Sequence, residues 1–215
     1  MRGRLEEDIR SWSRQVVEVP NPYMPNGMCA CPFAERAWLE DKVEVREADD
    51  PLTEAARVSH RFPEDKDLVI VASLNVPDLE AFEERVTELN DEFLYLDRFL
   101  MGFHPEYGAE DQELDFLYEH DWESDVEEEY CMIFVQSLQQ VVAYSDRLHA
   151  LGYYDAFPPE EYQQLVVERK RRLTNGNETP CDEEEGQEGH GPRRHGVQEE
   201  GHGSRRHGEQ KAEGS

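Results

Sequence analysis

Lysine is almost missing from this chain: Lys42, Lys66, Lys170 and Lys211 are all there is, beside 18 arginines and against 50 acidic residues. Long apolar runs are missing as well. Nothing approaches the roughly 18 consecutive apolar residues of a membrane span, and the opening MRGRLEEDIRSW has no apolar core of a secretory signal. The expectation is a soluble, cytoplasmic protein without a membrane partner. Cysteine is scarce, with Cys29, Cys31, Cys131 and Cys181 too few and too scattered for a disulfide framework. Cys29-x-Cys31 is one residue short of a Cys-x-x-Cys zinc half-site, and no second pair completes four ligands. Gly-rich phosphate loops, Gly-x-Ser-x-Gly elbows and His-Glu-x-x-His helices do not occur, so nucleotide-hydrolase, serine-hydrolase and zinc-protease chemistry finds no support.

What the chain has in abundance is negative charge. The formal net charge is −28, and residues 1–174 carry 40 acids against 17 Lys and Arg, a net of −23. Such a field repels phosphate backbones and argues against nucleic acid as a partner of the domain. A surface crowded with Asp and Glu and nearly emptied of Lys suits concentrated salt, where counter-ions screen self-repulsion. A halophilic source is the favoured reading; an acidic protein from a GC-rich genome, which also prefers Arg over Lys, is the plainer one.

Hydrophobic periodicity outlines the elements. Leu5, Ile9, Trp12, Val16 and Val17 recur at helical spacing and predict an amphipathic first helix over 5–19, broken by the run Pro20 to Gly27. A second short helix is predicted within 29–40, beginning near Pro32. Val43-Glu44-Val45-Arg46 alternates as a half-buried strand does, residues 52–62 read as helix, and LVIVASL over 68–74 reads as a strand buried on both faces. A long helix follows from Pro77-Asp78 to about Phe93, then a strand over 95–103, acidic loop with some helix over 106–129, a strand over 130–135, and helices over 138–151 and 158–173. The expected class is α+β: a small mixed sheet of about four strands with packed helices, for which a ferredoxin-like arrangement is one layout.

After Thr174 the composition changes abruptly. Residues 175–215 hold no aromatic residue and one large aliphatic, Val197, so they cannot bury a core and are expected to form a disordered tail behind a domain over 1–174. Within the tail GHGPRRHG (189–196) returns twelve residues later as GHGSRRHG (201–208). Its histidines, His190, His195, His202 and His207, are candidate weak ligands for a transition-metal ion, since neutral imidazoles on a flexible chain can converge. A solubilising extension is the alternative.

Two sets of residues are candidates for chemistry. Cys31, with Cys29 beside it, sits where the amides of a helix start could lower a thiol pKa. Phe103-His104-Pro105 lies just past a strand end, where loops present side chains from a rigid frame. His120-Asp121, between Glu119 and Glu123, fits a divalent-metal site less well than a solvated acidic loop.

The order of a first helix, Cys31-Pro32-Phe33-Ala34, an apolar strand, a long helix and a strand ending in Phe103-His104-Pro105-Glu106-Tyr107 resembles the bacterial domain-of-unknown-function family fourteen-fifteen, over roughly residues 8–107. That resemblance implies that Cys31 and His104 share a site, with Cys31 as thiolate nucleophile or ligand and His104 as its base or co-ligand. It brings no activity and no cofactor. The chain departs from the family by adding Cys29 and by carrying acidic 119–125 where the family has an Asn-Arg-Ser-Pro-Tyr-Pro-like segment. The competing expectation is a non-catalytic interaction or accessory protein, in which both motifs only pack helix on sheet. Its protein partner is undefined by sequence.

Overall fold

The computed structural model describes residues 2–22, 24–106 and 124–176. The tail with its four histidines, Cys181, and the segment holding His120 and Asp121 therefore lie outside the described residues. The chain divides into two units, Met1–Thr179 and Pro180–Ser215, and the described residues all belong to the first.

Four strands form one mixed sheet among the described residues, as the α+β expectation requires: β1 (Val43–Glu47), β2 (Leu68–Ser73), β3 (Arg98–Phe103) and β4 (Cys131–Ser137), in the order β1-β2-β4-β3. β1 and β2 are parallel, and β4 runs antiparallel to both β2 and β3. Among the described residues the order is β-α-β-α-β, then β4, so that a helix rather than a hairpin joins the second strand to the third, unlike the β-α-β-β-α-β of a ferredoxin-like arrangement. The physical reason lies in the connections, because helical crossovers return the chain to start β1, β2 and β3 from the same sheet end. β4 is then inserted antiparallel between β2 and β3.

Both crossover helices cover one face of the sheet. α1 (Arg2–Trp12) and α2 (Ala34–Leu39) precede them; α3 (Pro51–His60) joins β1 to β2, and α4 (Leu79–Glu92) leads from β2 towards β3. Asp50 accepts the Thr53 N–H at 3.1 Å and Asp78 accepts the Ala81 N–H at 3.1 Å, so each crossover helix opens on a carboxylate cap. Ala55, Val58, Phe82, Leu89 and Phe93 close on Val69, Val71, Leu100, Cys131, Ile133 and Val135 to make the main core. Leu5 and Ile9 of α1 pack on the opposite face, against Val43, Ile70, Ala72 and Met132. The run Leu68 to Ser73 is thus sandwiched, as its unbroken apolar character predicts.

Two helices depart from regular spacing. After Trp12 the first helix continues as a π-turn, Ser13–Val17, which turns the Ser13 hydroxyl inward. Behind β4, α5 (Leu138–Ala150) is capped by Ser137, and the predicted single helix over 158–173 is α6 (Pro159–Tyr162), a π-segment (Gln163–Glu168) and α7 (Arg169–Gly176). A π-turn holds one extra residue, so the face that heads inward shifts part-way along the helix. Apolar spacing alone does not reveal that shift.

Candidate functional site

Cys31 lies in the connection between α1 and α2. Its N–H donates to the Val17 carbonyl at 3.1 Å and its own carbonyl accepts the Ala34 N–H at 3.1 Å. The loop before it turns back on itself through a bridge between Pro20 and Cys29. Asn26 and Gly27 take positive φ there, a conformation that Asn and Gly tolerate best. Tyr153 covers the turn, its hydroxyl donating to the Ala30 carbonyl at 2.6 Å. Phe33 stacks on Tyr144 with ring centroids 4.3 Å apart.

The thiols are not activated. Burial pushes the Cys31 thiol up, and the amides of Phe33 and Ala34 only partly offset it; Cys29 and the Glu18 carboxylate add to the rise. Burial also raises Cys29, with Glu18 and Glu35 acting in the same direction. The expected lowering of the Cys31 pKa by a helix start is therefore corrected. α2 has only six residues and begins at Ala34, three positions past Cys31, so its end contributes little against desolvation. Glu18 itself is anchored: it pairs with Arg10 and accepts the Ser13 hydroxyl at 2.7 Å. Trp38 Nε1 donates to that same Ser13 oxygen at 3.1 Å, and the Arg10 guanidinium lies 5.1 Å over the Trp38 ring. The inward Ser13 of the π-turn is the hub of this network.

His104 is held differently. Its Nε2 donates to the Pro77 carbonyl at 2.9 Å, and its Nδ1 accepts the Glu106 N–H at 3.2 Å, which assigns the proton to Nε2. The ring is 5% exposed and sits 5.4 Å from the Phe82 ring. It ties the end of β3 to the loop that starts α4.

Cys31 and His104 are not brought together. His104 packs on Phe82 of α4, on the crossover-helix face, whereas Cys31 belongs with α1, α2 and Tyr153 on the other. The sheet separates them, because alternation along β3 points Gly102 and His104 to one side and Phe103 to the other. Among the described residues no group of three or more His, Cys, Asp and Glu is placed to hold a metal ion. An open concavity lined by Arg57, His60 and Arg61 at the end of α3 includes neither motif. Sequence reasoning missed Tyr153 and Glu18 as neighbours of the thiols. Neither stands near a motif, and both reach Cys31 only through tertiary folding. No family model, curated protein or solved structure matches the chain.

Proposed function

We propose that this protein is a non-catalytic interaction or accessory protein that engages a positively charged partner through its acidic surface. The observation that carries this reading is the commitment of both His104 nitrogens to backbone groups, on the opposite side of the sheet from a thiol whose pKa is raised. A base needs a lone pair within reach of its nucleophile. Here His104 ties the end of β3 to the loop before α4, and the Cys31 turn is fastened to the end of the first helix through Val17. The net charge of −28 supplies long-range attraction for a cationic surface and steers its approach. The same lysine-poor surface also suits concentrated salt, where screening confines that attraction to short range. Membership in the bacterial family that the two motifs resemble belongs to this proposal too, and assigns no activity.

The test is cross-linking of the full chain in its own cells, followed by reconstitution of the captured partner with purified protein. A stoichiometric complex with a basic partner is expected, weakened by added salt and unaffected by Cys31→Ser. Turnover of a small molecule that Cys31→Ser abolishes, with no stoichiometric partner, would overturn the reading in favour of an enzyme.

A further inference from the structure

The segment Arg169-Lys170-Arg171-Arg172 is the most basic run of the described chain. Lys170 pairs with Asp146, Arg171 with Glu168 at 2.8 Å and Arg172 with Asp91 at 2.6 Å. Arg169 pairs with no carboxylate among the described residues, in a chain where acids outnumber bases more than twofold. Its guanidinium turns inward instead, 4.7 Å over the Phe99 ring, with Nη2 3.9 Å from the Met101 sulfur. The π-segment just before it adds a residue to the turn and rotates the following positions by about 100°. Arg169 is thereby carried inward.

A second donor converges on the same place. Gln136 lies directly opposite Phe99 in the β3–β4 register, and its Nε2 is 3.3 Å from the Met101 sulfur. A thioether is a weak acceptor, so a guanidinium and a carboxamide are aimed at a group that satisfies neither. The surface around them is also incompletely covered. On the crossover-helix face of the central strand β4, Cys131, Ile133 and Val135 are fully buried, whereas Phe134 and Gln136 on this face, with Phe99 and Met101 beside them, are only half-buried.

We infer that Arg169 and Gln136 form a binding site for a small carboxylate carrying an apolar body, with Phe99, Met101 and Phe134 as its floor. The carboxylate would accept from the guanidinium fork and from the Gln136 amide, supplying the counter-charge that a half-buried cation lacks. The chain's overall negative field opposes an anion. At physiological ionic strength, however, exposed charges beyond about 8 Å are largely screened, and the neighbouring charges along α7 are balanced in the Lys170–Asp146, Arg171–Glu168 and Arg172–Asp91 pairs. The inference is independent of the interaction reading.

The test uses the full chain labelled with 13C-methyl methionine, the Met101 resonance being assigned by Met101→Leu. Sodium benzoate is titrated against sodium chloride at matched ionic strength, with benzyl alcohol as the neutral counterpart and inorganic phosphate as the anion without an apolar body. A saturable shift of Met101 with benzoate is expected, and Arg169→Met, which keeps a stem on Phe99, should weaken the affinity about tenfold or more. Arg169→Lys, which keeps the charge and loses the fork, should weaken it as well, and so provides the readout should the methionine variant fold poorly. No saturable shift in the natural protein, an equal shift with benzyl alcohol or phosphate, or unchanged affinity in the arginine variants would overturn the site.

Discussion

At the scale of single residues, His104 and the Cys31 turn are each held by hydrogen bonds to backbone groups, and their fates are separable. His104→Gln should destabilise the domain by about 1–3 kcal/mol, because it disturbs buried partners at the Pro77 carbonyl and the Glu106 N–H. It should leave the alkylation profile of Cys31 unchanged; a slower Cys31 reaction in this variant would restore the shared site. All three described thiols are held above the ordinary value, Cys131 being pushed up to about 11 by burial. A raised pKa means less thiolate at neutral pH. Iodoacetamide labelling followed by mass spectrometry should therefore be slower at neutral pH than for a free thiol and should go on rising with pH past about 8.5, where a free thiol begins to level off. Of these three, Cys29 should react first, and Cys131 only on unfolding. Gly102 is a residue of a different kind, since a Cβ there would meet Phe82 Cε1 at 2.6 Å. Phe82 is fully buried and packed within the main core. Gly102→Ala should cost about 1–3 kcal/mol in denaturant unfolding, and a neutral result would show that the α4 contact gives way.

Among the elements, β1 and β3 are the edges of the sheet, and β3 has its outward backbone groups met by a side chain. That side chain is Asn90 of α4: Oδ1 accepts the Leu100 N–H at 2.8 Å and Nδ2 donates to the Leu100 carbonyl at 2.9 Å. The side-chain amide thus stands in for a neighbouring strand. Asp97, at positive φ, completes the same junction by accepting the Ser137 hydroxyl and the Gln139 N–H at the start of α5. Asn90→Ala should lower stability by about 1–3 kcal/mol and expose the Leu100 amide to hydrogen exchange. Asp78→Ala, which removes only a helix cap, should cost about 1 kcal/mol and leave that amide protected. Equal exchange in both variants would assign the protection to α4 as a whole rather than to Asn90.

For the whole molecule, charge dominates the expectations. With −28 on one chain, self-repulsion lowers the stability of the compact state, and screening relieves it. The thermal midpoint should rise substantially between low salt and molar potassium chloride; a midpoint indifferent to salt would remove the halophilic reading. No helix among the described residues is long and apolar enough to cross a membrane. Residues 176–215 are expected to contribute almost nothing to the core, so their deletion should leave cooperative unfolding intact while abolishing most retention on immobilised nickel. Loss of cooperativity in the truncated chain would place the tail in the fold.

The sequence by itself determined the parts whose signal is local. The double-sided burial of 68–73 was legible as an unbroken apolar run, and the start of α4 as a polar cap after Pro77. The α+β class followed from the alternation of such segments. Tertiary structure alone decided the rest. β4 carries no local mark of its place between β2 and β3, since strand order is set by long-range pairing. Cys31 and His104 are each recognisable in sequence, yet which side of the sheet each occupies depends on how α1 and α4 pack, and that separates them. Arg169 reads as one cation in a basic run. Only the π-segment before it and the open face of β4 single it out, because an extra residue in a helical turn changes a side chain's direction without altering its composition.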